Sequence, residues 1–144
     1  MPKLSDELIH EAFKPHLQAG EELKHWAFGV KQPSILVILP LFALAILPGI
    51  IATQMLTKNY LIGLTDKRLI VLQVKSITNG EVKEMMEYDL ADFANAPGSS
   101  KTGGLFTHIT IENAEKPFKA KFHRAFSKSN RAHAMAIGEA ISAA

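Results

Sequence analysis

The sequence predicts an α+β protein, mainly β. The expected architecture is a bent antiparallel barrel with a short N-terminal helix, a C-terminal capping helix and an apolar helical insert. Three observations predict this. Apolar residues recur with period two through most of residues 22–123. They recur with helical period only towards the two ends of the chain. Residues 33–55, PSILVILPLFALAILPGIIATQM, carry no charge.

The helix at the start is LSDELIHEAFK. Ser5 is the expected N-cap, and Asp6 and Glu7 lie in the first turn, where the helix dipole favours anions. Leu4 and Ile9 have the spacing of a hydrophobic staple, and Leu8, Ile9, Ala12 and Phe13 form one apolar face. Pro15 ends or bends the helix, and Ala19-Gly20 is a natural stop.

From Glu22 the period becomes two. EELKHWAFGVK places Trp26, Phe28 and Val30 on one face of a strand and His25, Ala27 and Gly29 on the other. NYLIGLT and KRLIVLQVK are strands joined by a tight turn at Thr65-Asp66-Lys67. Asn79-Gly80 predicts a hairpin turn into VKEMMEYDL, with a turn or one helical turn from Asp89 to Phe93. ANAPGSSKTGG reads as a flexible loop. LFTHITIEN sets Leu105, Thr107, Ile109 and Ile111 against Phe106, His108 and Thr110. After a turn at residues 113–116, PFKAKFH directs Phe118, Ala120 and Phe122 inward and Lys119, Lys121 and His123 outward. The tail SKSNRAHAMAIGEAISAA predicts a helix capped by Ser127 or Ser129, with Ala134, Ile137 and Ile141 on one face. Gly138 weakens that helix but permits close packing. Consecutive hairpins imply a strongly bent sheet, and an amphipathic helix is suited to cap its open end.

At this point the residues resemble the bacterial pleckstrin-homology-like (PH-like) domains. The resemblance rests on the Gly-Glu entry in GEELKHWAFGVK and on the Thr-x-x-Arg hairpin in YLIGLTDKRLIVLQ, here Ile62, Leu64, Thr65, Arg68, Leu69 and Ile70. A later strand carries Val82, Glu84, Tyr88, Leu90, Ala91 and Asp92. The resemblance covers about residues 20–142 apart from the insert. It implies a seven-stranded, partly open barrel capped by a C-terminal helix. Many members carry membrane segments between the entry strand and the Thr-x-x-Arg hairpin. The implied organisation is an N-terminal amphipathic helix (1–20), a PH-like domain (21–32 and 57–144) and an apolar membrane insert (33–56).

A bilayer core needs roughly 20 helical residues to cross it, and residues 35–55 meet that length. A single transmembrane helix would put Trp26–Val30 and the later strands on opposite sides of the membrane. A re-entrant hairpin bent at Pro40 and Pro48-Gly49 would keep both ends on one face. Burial in a soluble assembly is the third reading. The insert residues singled out are Ile35, Leu36, Pro40, Phe42, Leu47, Pro48, Gly49 and Ile50.

Composition narrows the chemistry. Sixteen Lys+Arg against fourteen Asp+Glu give a net charge of only +2, unlike a dedicated nucleic-acid binder. The absence of Cys excludes disulfides, thiol catalysis and Cys-ligated metals. The first twenty residues have no apolar core of a signal peptide, so none is expected. GSSKTGG lacks the spacing of a phosphate loop. The histidines show no recognised ligand spacing, although His108 and His123 approach each other if their strands form a hairpin. No catalytic, metal or cofactor site is expected.

The chemistry that stands out is basic. Lys116, Lys119, Lys121, His123, Arg124, Lys128 and Arg131 form a cluster, and Lys67-Arg68 follows the insert. Such a patch suits an anionic membrane surface, at about 1 kcal/mol per basic residue. Phe118 and Phe122 point inward, which argues against stacked nucleic acid. The expected function is a non-enzymatic, membrane-associated binding or scaffold module on the cytoplasmic face. Its expected partners are membrane lipids, a protein or peptide, and further copies of itself. The alternative is a soluble homo-oligomer that uses the apolar segment as its interface. A small-ligand protein or enzyme around His108 and His123 is the third class.

Overall fold

The computed structural model describes residues 6–31, 57–76, 79–94, 97–112, 115, 117–124, 126 and 129–143. The insert residues, Leu4, Ser5, Lys116, Ser127 and Lys128 lie outside the described residues, as does most of the turn at 113–116.

Helix α1 is Asp6–Phe13, followed by a 3-10 turn at Lys14–His16. Seven strands follow: β1 His25–Lys31, β2 Lys58–Leu64, β3 Arg68–Ser76, β4 Asn79–Asp89, β5 Ser99–Thr102, β6 Phe106–Ile111 and β7 Phe118–His123. A 3-10 turn at Leu90–Ala94 follows β4, and helix α2, Asn130–Ala143, ends the fold. The strands form one sheet in the order β4-β3-β2-β1-β7-β6-β5, and every pairing is antiparallel. The fold is the expected α+β architecture: a bent antiparallel sheet with a C-terminal helix and a short N-terminal one.

The bent sheet buries side chains on both faces. Inside, Ala27, Ile62, Leu69, Val71, Ile109 and Phe122 meet Ala134, Ile137 and Ile141 of α2. These three helix residues are the face that the helical spacing predicts, and all are fully buried. Outside, Phe28, Leu61, Ile70 and Leu72 are covered by Ile9 and Phe13 of α1, with Phe126 beside them. Full burial of such a side chain stabilises by about 1.5–3 kcal/mol. Gly63 makes room for α1: a Cβ there would sit 2.9 Å from the Phe13 ring.

α2 is docked by a polar side chain. The Asn130 amide accepts from the Phe28 backbone N–H at 2.7 Å and donates to the carbonyls of Phe28 (3.0 Å) and His123 (2.8 Å). One buried side chain thereby ties the helix to both β1 and β7.

Two local expectations are corrected. Asn79 pairs with Ser76, so Asn79 and Gly80 belong to β4 rather than to the turn. Residues 99–102 are not a loop but strand β5, paired with β6 from Ser99↔Thr110 to Thr102↔Thr107. Four polar residues show no apolar period, so their pairing is set from outside. The Gly98 N–H donates to the Ile141 carbonyl at 3.0 Å, and Gly138 lies so close to Ser100 that no side chain would fit between them.

Candidate binding surfaces

The Gly-Glu entry and the Thr-x-x-Arg hairpin meet in space. Gly20 has φ +79°, a left-handed conformation that glycine adopts without penalty, and it turns the chain into Glu21. The Arg68 guanidinium grips that carboxylate with Nε at 3.0 Å and Nη2 at 2.9 Å. Nη2 also donates to the His16 carbonyl at 2.6 Å, and Nη1 reaches Glu87. The Thr65 hydroxyl donates to Glu21 at 2.9 Å and accepts from the N–H groups of Lys67 and Arg68, which closes the β2–β3 turn. The hydrogen bonds from Arg68 hold the Glu21 carboxyl down to about 2. The same pairing raises the Arg68 value.

This corrects the expectation for Arg68. Its side chain is 7% exposed and its guanidinium is committed to Glu21, Glu87 and a carbonyl, so it is structural rather than a surface ligand. Lys67 is exposed, but it stands in the turn at the far end of β2 from Lys58. Seven strand residues at ~3.3 Å each put it on the order of 20 Å from the ends of the insert. The residue pair that follows the insert in sequence is therefore remote from it in the fold.

The insert end has its own cations. Lys31 and Lys58 are cross-strand partners, so the segment between them leaves and returns at one point of the sheet. Lys75 follows Val74, the partner of Asn59, and so shares this end. Val30 lies opposite Lys121, which sets Lys119 towards the same end. Lys31, Lys58, Lys75 and Lys119 are all exposed. Carboxylates Glu81, Glu112 and Glu115 are also exposed around this end. Here the barrel opens into a small cavity of about 240 Å³, lined by residues that include Lys31, Lys58, Tyr60, Gln73 and Glu84. Burial, with Glu84 nearby, pushes the Tyr60 hydroxyl up, so it stays a neutral donor.

The remaining described residues of the expected basic cluster lie along β7 and at the start of α2. Lys119 is exposed, Lys121 is half-buried with its ammonium 4.8 Å from the Phe106 ring centre, and Arg124 is exposed at the other end of β7. Arg131 is exposed on the first turn of α2. Lys116 and Lys128 lie outside the described residues. His108 and His123 do not face each other: His108 opposes Lys121, and His123 opposes Phe106. Among the described residues no group of three or more His, Asp or Glu is disposed to hold a metal. Among them, too, no helix is long and apolar enough to cross a membrane.

Sequence reasoning missed one cluster. Trp26 packs between His10, edge-on (ring centres 4.4 Å apart), and His133, tilted (4.2 Å), and its Nε1–H donates to Asp6 at 3.0 Å. His25 and His133 meet Nδ1 to Nδ1 at 3.0 Å. Burial first, then His25, lowers the His133 value. The 108 residues between the two histidines leave no signal in local periodicity.

No family model matches the chain, and no curated protein matches it. Among solved structures, the crystal structure of a pleckstrin homology domain from Shewanella amazonensis SB2B is similar at 14% identity, over 88% of this chain and 96% of that chain, with a TM-score of 0.35.

Proposed function

We propose that this protein is a membrane-surface PH-like binding module whose insert end faces the bilayer. The observation that carries this reading is the Lys31↔Lys58 pairing. It brings both ends of an uncharged, 23-residue apolar stretch to one rim of the sheet. Residues 33–56 then enter and leave the bilayer on the same side, as a re-entrant hairpin. Lys31, Lys58, Lys75 and Lys119 lie at the level of the head groups, where each contributes about 1 kcal/mol on an anionic surface. The carboxylates at the same end offset part of this, so the apolar insert supplies most of the attachment. The basic flanks favour a cytoplasmic position for the domain. The cavity at the barrel mouth, with two ammonium groups, suits an anionic head group. The backbone at a membrane bend needs partners, which favours several copies side by side.

Flotation with vesicles tests this. Because Lys31 and Lys58 oppose each other, an Asn-Gly turn in place of residues 32–57 closes a regular hairpin. The full chain is expected to float with vesicles, and the shortened chain is expected to stay folded and remain in the aqueous fraction. A full chain that purifies without detergent as one defined assembly and ignores vesicles would overturn the membrane reading in favour of a soluble homo-oligomer.

A further inference from the structure

The outward face of β5, β6 and β7 is uncovered and carries the exposed cations Lys101 and Lys119 with the half-buried Lys121. Like β1, β2 and β3, these three strands contain no carboxylate. Among the described residues, the strand carboxylates lie on β4, at the opposite edge: Glu81, Glu84, Glu87 and Asp89. The register lines up the outward residues in rows across the strands. One row is Lys101, His108 and Lys121, and the next is Ser99, Thr110 and Lys119. The first row holds two lysines and a histidine, and the second adds a lysine and two hydroxyls. Phe106 lies on the same face beside Lys121 and His123.

At the β5–β6 turn the face meets an open cavity of about 430 Å³, lined by Lys101, Gly103, Gly104, Leu105, Phe106 and His108. Leu105 is 50% exposed, and a Cβ at Gly104 would meet nothing within 4 Å. An apolar floor, bare backbone and flanking cations thus occur together. Strands are about 4.8 Å apart, so Lys101 and Lys121 stand about 10 Å from each other. Carboxylates two or three residues apart on an extended peptide span that distance. The cavity is at the end of the sheet opposite the Lys31–Lys58 rim, so an attached membrane lies away from it.

We propose that this face, centred on Lys101, Leu105, Phe106 and His108, is a docking surface for an acidic peptide segment bearing an apolar residue. Carboxylates would sit on the Lys101–His108–Lys121 row, and the apolar side chain would rest on Leu105 and Phe106. Charge complementarity identifies the occupant: three consecutive strands without an acid repel a basic segment and attract an acidic one.

The test uses the full chain in nanodiscs of neutral phosphatidylcholine. Fluorescence anisotropy measures a labelled synthetic peptide with Asp and Glu flanking one Leu, and the same peptide with Asn and Gln replacing the acids. The acidic peptide is expected to bind, with affinity falling as salt rises, and the neutral one to bind at least tenfold more weakly. Lys101→Glu is expected to weaken binding at least tenfold. Lys67→Glu, the same charge change in the β2–β3 turn, should alter it less than twofold. Leu105→Ser is expected to weaken the Leu peptide and to leave a Ser-substituted peptide unchanged. Thermal melts establish that each variant is folded. Equal binding of acidic and neutral peptides would overturn the proposal, as would equal losses from Lys101→Glu and Lys67→Glu. It would also be overturned if Lys101→Glu reduced binding to anionic vesicles while neither peptide bound. Peptide binding does not involve residues 32–57, so it stands or falls separately from vesicle flotation.

Discussion

The outward face of the sheet has two halves that meet different fates. Over β1–β3 its side chains are Phe28, Leu61, Ile70 and Leu72, each at most 1% exposed, and α1 lies across them. Over β5–β7 the corresponding positions are Lys101, His108 and Lys119, all exposed. In both halves successive side chains alternate between the two sides of the strand, and both present their other face to the same interior. The residue type at the outward positions decides whether that side of a strand becomes a second core or a surface. An eight-residue helix suffices to cover the apolar half because Gly63 leaves space for Phe13. The polar half needs no cover, and the protein is free to use it.

The largest expected effect separates the two halves directly. Phe28→Ala removes a fully buried ring from the covered half and should cost about 3–5 kcal/mol in chemical denaturation. Phe106→Ala, on the half-exposed side, should cost about 1 kcal/mol. Comparable losses would show that the bare half is as much a core as the covered one.

The second effect concerns what holds the covered half in place. Arg68→Ala leaves the buried Glu21 carboxylate unpaired and should cost about 3 kcal/mol, with Arg68→Lys recovering only part because it lacks the bidentate fork. The linkage has a defined sign. The folded-state Glu21 value, about 2, lies below that of an ordinary carboxylate. Its contribution is therefore fully present above the unfolded value of about 4.3 and is lost as pH falls towards 2. Urea denaturation between pH 7 and pH 2.5 should show this loss, and Glu21→Gln should flatten it in that window.

A smaller effect isolates the seat of α1. A methyl group at Gly63 meets Phe13 and Leu23. Gly63→Ala should cost about 1–3 kcal/mol through overpacking. Hydrogen exchange should quicken in α1 while β6 and β7 keep their protection. Uniform quickening would mean that α1 and the barrel open as one unit.

The smallest effect is a pH response at the junction of α1, β1 and α2. His133 has a lowered value, so the folded state resists its protonation. Stability from the His25–His133 contact is present above about pH 6.5 and declines as pH falls below it. His10 and Asp6 face the same ring cluster. Trp26 is the only tryptophan, so its fluorescence reports on the cluster alone. A midpoint below the ordinary histidine value that disappears in His133→Asn would support the contact. An unchanged titration would show that the response does not come from His133.

Much of the fold was legible because its cues are local. The alternation in β6 and β7, the helical face of Ala134, Ile137 and Ile141, and the Thr65 turn all lie within ten residues of their cause. β5 was not legible: Ser99–Thr102 carries no apolar period, and its pairing depends on β6 and on the close passage of Gly138. The candidate surfaces were legible as residues but not as places. Sequence proximity joined Lys67 and Arg68 to the insert, whereas the length of β2 removed the first and Glu21 buried the second. Lys31 and Lys58, 27 positions apart, became neighbours only through strand pairing.

The sequence by itself determined the elements, the inward and outward side of most strands, and the presence of an uncharged stretch interrupting them. These follow from periodicity and charge, which act between near neighbours. Only the tertiary structure decided which cations share a rim, which arginine is buried and which basic rows stand together on β5–β7. Those outcomes depend on strand order and register, and both are set by packing between residues distant in the chain.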